Sequence, residues 1–130
     1  MKLIKRYLGI DYGTKRIGLA LGDSEMKMAM PFTVVADIDA VIKVIEDEDI
    51  DEIVVGLPIT MKNEAGAMKK DVDQFIEKLK EKTSLPIIEI DERLTSKGAD
   101  ALVGNKKTKA DRDAIAAMII LQGHLDKFRS

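Results

Sequence analysis

The stretch Asp51-Glu52-Ile53-Val54-Val55-Gly56-Leu57-Pro58 constrains the fold more than any other part of the chain. Its apolar side chains are consecutive instead of alternating. Because neighbouring side chains of a strand point to opposite faces, a strand of this kind must be covered on both sides. Gly56 and Pro58 bring it to a stop. Candidate covers lie on either side of it in the chain. Upstream, Asp37 can cap a helix whose Ile38, Val41, Ile42 and Ile45 fall at i, i+3, i+4 and i+7, one buried stripe. Downstream, Glu64 to Lys82 repeats that stripe with Met68, Val72, Phe75, Ile76 and Leu79. Pro86 to Asp91 is a further short strand. Strands joined through helices run parallel.

The first part of the chain is different. Leu8-Gly9-Ile10 and Ile17 to Leu21 are short apolar runs around Asp11-Tyr12-Gly13-Thr14-Lys15-Arg16, which predicts a hairpin, and Ala29 to Val35 predicts a third strand. Pro31 assigns at least the start of that strand to an edge or a bulge. After the strand ending at Asp91, a short helix is expected around Ala99, Leu102 and Val103, then a loop from Gly104 to Lys109. Thr108 and Asp111 have capping-box spacing for a last helix through Ala114, Ile115, Met118, Ile119 and Leu125. The order is βββαβαβαα. It predicts an α/β fold with a mixed five-stranded sheet, an antiparallel three-stranded meander plus two parallel strands, with helices on both faces. No repeat, low-complexity segment or linker divides residues 1–130, so a single domain is expected.

Composition narrows the function classes. The 21 basic and 23 acidic residues give a net charge of -2, so any polyanion must be held by a local patch, not by a global field. With no Cys, disulfides and thiolate metal sites are excluded. No apolar run reaches the roughly 20 residues that span a bilayer, and the start Met-Lys-Leu-Ile-Lys-Arg is too short for a signal peptide, so a cytoplasmic protein without membrane contact is expected. Neither a Walker A sequence nor GxGxxG occurs. His124, the sole histidine, has no nucleophile partner and is assigned a surface or boundary position.

Three carboxylates stand where parallel α/β sheets carry their chemistry, at strand ends and a helix start. Asp11 closes the first strand, Glu92 follows the last, and Asp113 lies in the first turns of the final helix. If these converge, three hard oxygen donors suit Mg²⁺ or Mn²⁺, one or two ions. Each also has an ordinary explanation. Asp-x-Gly is common turn chemistry, Glu92 beside Asp91 can be a solvated strand end, and acids favour helix N-termini in general. Lys15, Arg16, Arg93, Lys106, Lys107, Lys109 and Arg112 flank the three and are candidates for holding nucleic-acid phosphates, although Lys106 to Lys109 also reads as a solvated loop. Aromatics are only 4% of the chain and few lie near these positions, so backbone or duplex recognition fits better than base stacking.

Four motifs in order then carry a resemblance over nearly the whole chain. They are Gly9-Ile10-Asp11-Tyr12-Gly13-Thr14-Lys15-Arg16-Ile17-Gly18-Leu19-Ala20, Val55-Gly56-Leu57-Pro58, Asp91-Glu92-Arg93-Leu94-Thr95-Ser96, and Asp113 through Gly123. Together they resemble the YqgF, or RuvX-type, proteins, described as nucleases for the small-subunit ribosomal RNA precursor and, in older naming, as Holliday junction resolvases. The resemblance implies an RNase H-like fold and an acidic site at Asp11, Glu92 and Asp113, with Asp91 and Arg93 in support. Asp111 competes with Asp113 for the last place, and the following Ala-Ala-Met-Ile-Ile-Leu-Gln stretch selects Asp113. The loop Gly104 to Lys109 is shorter than in many relatives.

The resulting expectation is a metal-dependent endonuclease that processes the 5′ end of pre-16S ribosomal RNA, as a monomer or homodimer. A Holliday junction substrate is the nearest variant and requires paired sites in a two-fold dimer. Two alternatives belong to other classes. One is a non-catalytic RNA-binding assembly factor. The other is a nucleotide module of the actin and sugar-kinase kind, which the strand followed by Asp-x-Gly-Thr also suits, though that architecture needs a second domain.

Overall fold

The central strand β1 (Arg6–Tyr12) pairs antiparallel with β2 (Ile17–Asp23) on one side and parallel with β4 (Glu52–Leu57) on the other. The outer strands are β3 (Ala29–Val35), antiparallel to β2, and β5 (Ile87–Asp91), parallel to β4, giving the order β3-β2-β1-β4-β5. The helices are α1 (Ile38–Asp47), α2 (Glu64–Lys82) and α3 (Lys109–Leu125), the last followed by a 3₁₀ turn at Asp126–Phe128. This computed structural model describes residues 4–13, 15–57, 64–91 and 109–128, and the side chains of 4–13, 15–57, 70–90 and 112–127. The helix expected around Ala99 and the loop from Gly104 to Thr108 lie outside the described residues.

Strand alternation sorts the core into two layers. Leu8 and Ile10 of β1, with Ile17, Leu19, Ile53 and Val55, meet Val41 and Ile45 of α1 and Val72, Phe75, Ile76 and Leu79 of α2. On the opposite face Tyr7, Ala20, Val54 and Ile90 meet Ala117, Ile120, Leu121 and Leu125 of α3. Ile53, Val54 and Val55 all have 0% exposure, as the unbroken apolar run requires of a strand covered twice. Pro31 lies on the edge strand, where β3 slips register against Leu19 and Ala20, so its missing N–H falls at an irregularity. Among the described residues no helix is long and apolar enough to cross a membrane.

The acidic run after α1 does more than face solvent. Asp37 starts the helix by accepting the Ala40 N–H at 2.9 Å. At the other end Asp49 takes a left-handed conformation (φ 55°), its N–H donates to the Glu46 carbonyl, and the Ile50 N–H donates back to Ile45. These two bonds satisfy carbonyls that a helix end leaves open, and they fold Ile50 onto Ile45 in the core. Glu48 receives the Arg6 guanidinium at 3.2 Å, tying the end of α1 to the start of β1.

The second layer is unusually thin. A Cβ placed on Gly9 would lie 2.7 Å from Leu121 Cβ and 2.8 Å from the Ala117 carbonyl oxygen. One placed on Gly18 would run into the Asp113 carbonyl group, with the Ala114 nitrogen at 3.1 Å. At Gly22 the same atom would meet Leu125 Cδ1 at 3.0 Å. Asp113, Ala117, Leu121 and Leu125 recur every four residues, a single ridge of α3. That ridge lies directly on positions of β1 and β2 that carry no side chain.

The far end of α3 is held by polar and aromatic contacts. Gln122 accepts the Ala29 N–H at 2.8 Å through Oε1, and its Nε2 donates to the Lys27 carbonyl at 3.0 Å and to Asp126 at 2.9 Å. The same turn of the helix carries His124. The sequence assigned it a surface or boundary position, but it is 7% exposed and sets its ring edgewise on Tyr7, 5.7 Å between centroids. Burial pushes its imidazole below the usual range, against an opposing effect of Glu52. Burial likewise raises the Tyr7 phenol, with Glu52 and Asp51 adding to the shift.

A methyl group at Gly9 forces the helix off the sheet. Gly9→Ala is expected to lose about 1–3 kcal/mol of stability, read as a lower urea midpoint at unchanged slope. A midpoint equal to that of the unaltered protein would show that α3 does not depend on this seat.

Candidate active site

Asp11 is the next-to-last residue of β1 and is half-buried. By alternation it shares a face with Tyr7 and Gly9, the face that α3 covers. Its partner across the antiparallel ladder is Gly18, the residue against which the Asp113 carbonyl lies. Directly opposed residues of such a ladder have Cα atoms about 4.5–5.5 Å apart. The glycine seat therefore sets the first turns of α3 against the strand pair that carries Asp11.

Arg16, from the turn between β1 and β2, completes the approach. Its Nε donates to Asp113 Oδ2 at 2.8 Å, an ion pair between residues 97 apart in the chain. The side chains are 44% and 28% exposed, so solvent screens the pair. A carboxylate accepts at two oxygens and about four lone-pair directions. The guanidinium at one oxygen offsets carboxylate charge in this corner without using the group's full capacity.

Arg16 and Asp113 are thus brought together, the start of α3 lies against Gly18, the strand partner of Asp11, and Lys15 is exposed on the same turn. Arg112 is exposed on α3 immediately before Asp113. The backbone of Lys109 starts α3, and that of Asp91 ends β5 opposite Leu57. The side chains of Lys109 and Asp91, and all of Glu92, Arg93, Lys106 and Lys107, lie outside the described residues. Among the described residues no three acidic or histidine side chains gather as a metal cluster. Composition and spacing did not reveal that Gly18 receives the start of α3, since a strand glycine looks the same whether it weakens a strand or receives a helix.

A mixed sheet in the order β3-β2-β1-β4-β5 with helices on both faces defines the RNase H-like fold. The fold matches Thermus thermophilus RuvC in complex with a Holliday junction substrate, with a TM-score of 0.62 and 15% identity over 94% of each chain. It also matches the yeast mitochondrial Holliday junction resolvase Ydc2, with a TM-score of 0.54 and 15% identity over 96% of this chain and 82% of the other. A family model described as "RuvX: Holliday junction resolvase" matches residues 5–127, and the chain belongs to that family, a family of nucleases. Among its relatives is a Chloroflexus aurantiacus protein, 36% identical over 95% of this chain and 88% of that one. Another comes from Natranaerobius thermophilus, 38% identical over 94% of each. Both are named "Putative pre-16S rRNA nuclease".

Because the Arg16–Asp113 pair is half-exposed, Arg16→Gln is expected to change stability by less than about 1 kcal/mol. The check is the urea midpoint. A loss several times larger would mean that the pair, and not the glycine seat, holds α3 in place.

Proposed function

We infer that the protein is a metal-dependent endonuclease that trims the 5′ end of a small-subunit ribosomal RNA precursor in the cytoplasm. The observation that carries this reading is the seating of Asp113 against the strand pair that bears Asp11, in a chain whose relatives bear the name of a pre-16S rRNA nuclease. Asp11 and Asp113, with Glu92, are the proposed catalytic and metal-binding residues. Their donors are all carboxylate oxygens, with no thiolate in the chain, which fits one or two Mg²⁺ or Mn²⁺ ions. When bound, such ions lower the pKa of an attacking water and offset charge on the phosphate.

The chain's own residues have separate tasks. Asp11 is on a central strand paired on both sides, so its carboxylate starts from a rigid backbone. Asp113 is held by backbone contact at Gly18. Lys15, Arg16 and Arg112 grip the phosphates on either side of the cleaved bond, and Arg93, Lys106, Lys107 and Lys109 extend that grip. Arg16 exchanges its bond to Asp113 for a phosphate oxygen as the substrate arrives. Holliday junction DNA is the second reading, favoured by the description of the family model, and it requires a homodimer that presents two sites.

Asp11→Asn and Asp113→Asn proteins are expected to fold normally and to lose cleavage of a structured precursor RNA by about a hundredfold or more. A chelator should abolish cleavage by the unaltered protein, and Mg²⁺ or Mn²⁺ should restore it. A four-way DNA junction assayed in parallel decides between the substrates. A folded Asp113→Asn protein that cleaves at the full rate would overturn the acidic mechanism.

A further inference from the structure

A cleft lies at the end of β1 that carries Asp11, on the other face of the sheet. Asp11 and Tyr12 are consecutive, so when Asp11 faces α3 the Tyr12 side chain joins the layer formed with α1 and α2. There its ring lies on Phe75 of α2, with centroids 4.7 Å apart and planes inclined by 33°. The cleft beside this pair has a volume of about 260 Å³, below the roughly 300–1,000 Å³ of sites for drug-sized ligands and suited to one planar ring. Ile17 and Phe75 are buried beneath it. Its polar margin is Asp37, Asp71, Gln74 and Lys78.

The chemistry of that margin selects among ligands. Among the described residues Asp37 and Asp71 outnumber the one cation of the margin, Lys78, and leave it net negative, so a phosphate group is not what the cleft is built to hold. Asp37 already gives one oxygen to the Ala40 N–H, while Asp71 is half-buried at the wall. A carboxylate and a glutamine amide beside an aromatic face match a neutral heteroaromatic ring whose exocyclic amine donates to the acid, with the ring face stacked on tyrosine. Among nucleobases, adenine, cytosine and guanine carry an exocyclic amine and uracil does not.

We propose that the Tyr12–Phe75 cleft is a subsite for an unpaired nucleobase, preferring bases with an exocyclic amine over uracil, next to a phosphate gripped by Lys15 and Arg16 beside Asp11. This assignment rests on the nuclease reading above. It adds a specificity determinant that acts through base contact and not through the backbone. A single strand crossing the end of β1 would lay its phosphate on the Asp11 face and turn the adjoining base over the strand end onto Tyr12.

The test is equilibrium binding, by fluorescence anisotropy without Mg²⁺, of a hairpin RNA with a five-nucleotide tail of A, C, U or abasic residues. The unaltered protein is expected to bind the A and C tails about tenfold more tightly than the abasic tail, with U in between. Tyr12→Leu keeps an apolar contact to Phe75 and should bring the A tail to the abasic level. Asp71→Ala should erase the preference for A and C over U. Gln74→Ala, at an exposed position, should weaken the A tail several-fold and serves if Tyr12→Leu does not fold. Equal binding of A and abasic tails by the unaltered protein would overturn the proposal. So would a full A-over-abasic ratio retained in both the Tyr12 and the Gln74 variants, or adenosine alone binding as tightly as the A tail, which would indicate a free-nucleotide site. Cleavage enters none of these readings. A base preference without nuclease activity would keep the subsite and reject the nuclease, and metal-dependent cleavage without base preference would do the reverse.

Discussion

The approach of α3 to the bare backbone of β1 and β2 is the contact on which the rest of the molecule depends. Gly9 and Gly18 give up the strand propensity and side-chain packing that any larger residue would bring. In return the ridge of Ala117, Leu121 and Leu125 sinks fully out of water, and each leucine so buried contributes roughly 1.5–3 kcal/mol. The contact at Gly18 is one of backbone with backbone. Side chains can change rotamer to absorb a shift, but two backbones cannot, so the helix start has little freedom relative to the strand pair. The position of Asp113 thus follows from packing and does not have to be purchased by hydrogen bonds.

The two faces of the sheet accordingly have different tasks. The α1 and α2 face is filled by branched aliphatic side chains and Phe75, and supplies most of the conventional core. The α3 face is thinner, built from small residues and one helix ridge, and seats the start of α3 on Gly18, the strand partner of Asp11. Both faces reach the same end of β1, where consecutive residues present a carboxylate to one side and an aromatic ring to the other. A divalent cation and an unpaired base differ in the same way, one charged and hard, the other neutral and flat. The end of a single strand can address both because its side chains alternate.

The parts of this arrangement legible in the sequence were those with a local signature. Consecutive Ile53, Val54 and Val55 announced a strand covered twice, and the stripe from Glu64 to Lys82 marked α2 at its observed bounds. Asp37 was recognisable as a cap, and Pro31 as an edge or bulge residue. What escaped depends on tertiary contact. The end of α1 carries Asp49 in the left-handed conformation where glycine is the usual signal, so its two closing bonds left no trace. His124 looked polar and superficial because nothing nearby in the chain shows that Tyr7 meets it. Tyr12 was counted as part of a hairpin turn, and its stack on Phe75 joins segments far apart in sequence. Arg16 stood out in the sequence as a basic residue flanking Asp11, whereas its bond to Asp113 across 97 residues comes from the fold. Glu92 and the basic segment before α3 lie outside the described residues, so the proposed triad is represented here by two of its members.

The central claim is that Asp11 and Asp113 form one cation site whose spacing is set by the seat of α3. The most direct measurement is a Mn²⁺ titration of the isotopically labelled protein, followed by paramagnetic broadening of its amide resonances. Broadening should begin at Asp11, Gly18 and Asp113 together, at concentrations that leave the acidic run Glu46 to Asp49 unaffected. Broadening that begins at Glu46 to Asp49, or that reaches Asp11 without Asp113, would contradict a shared site.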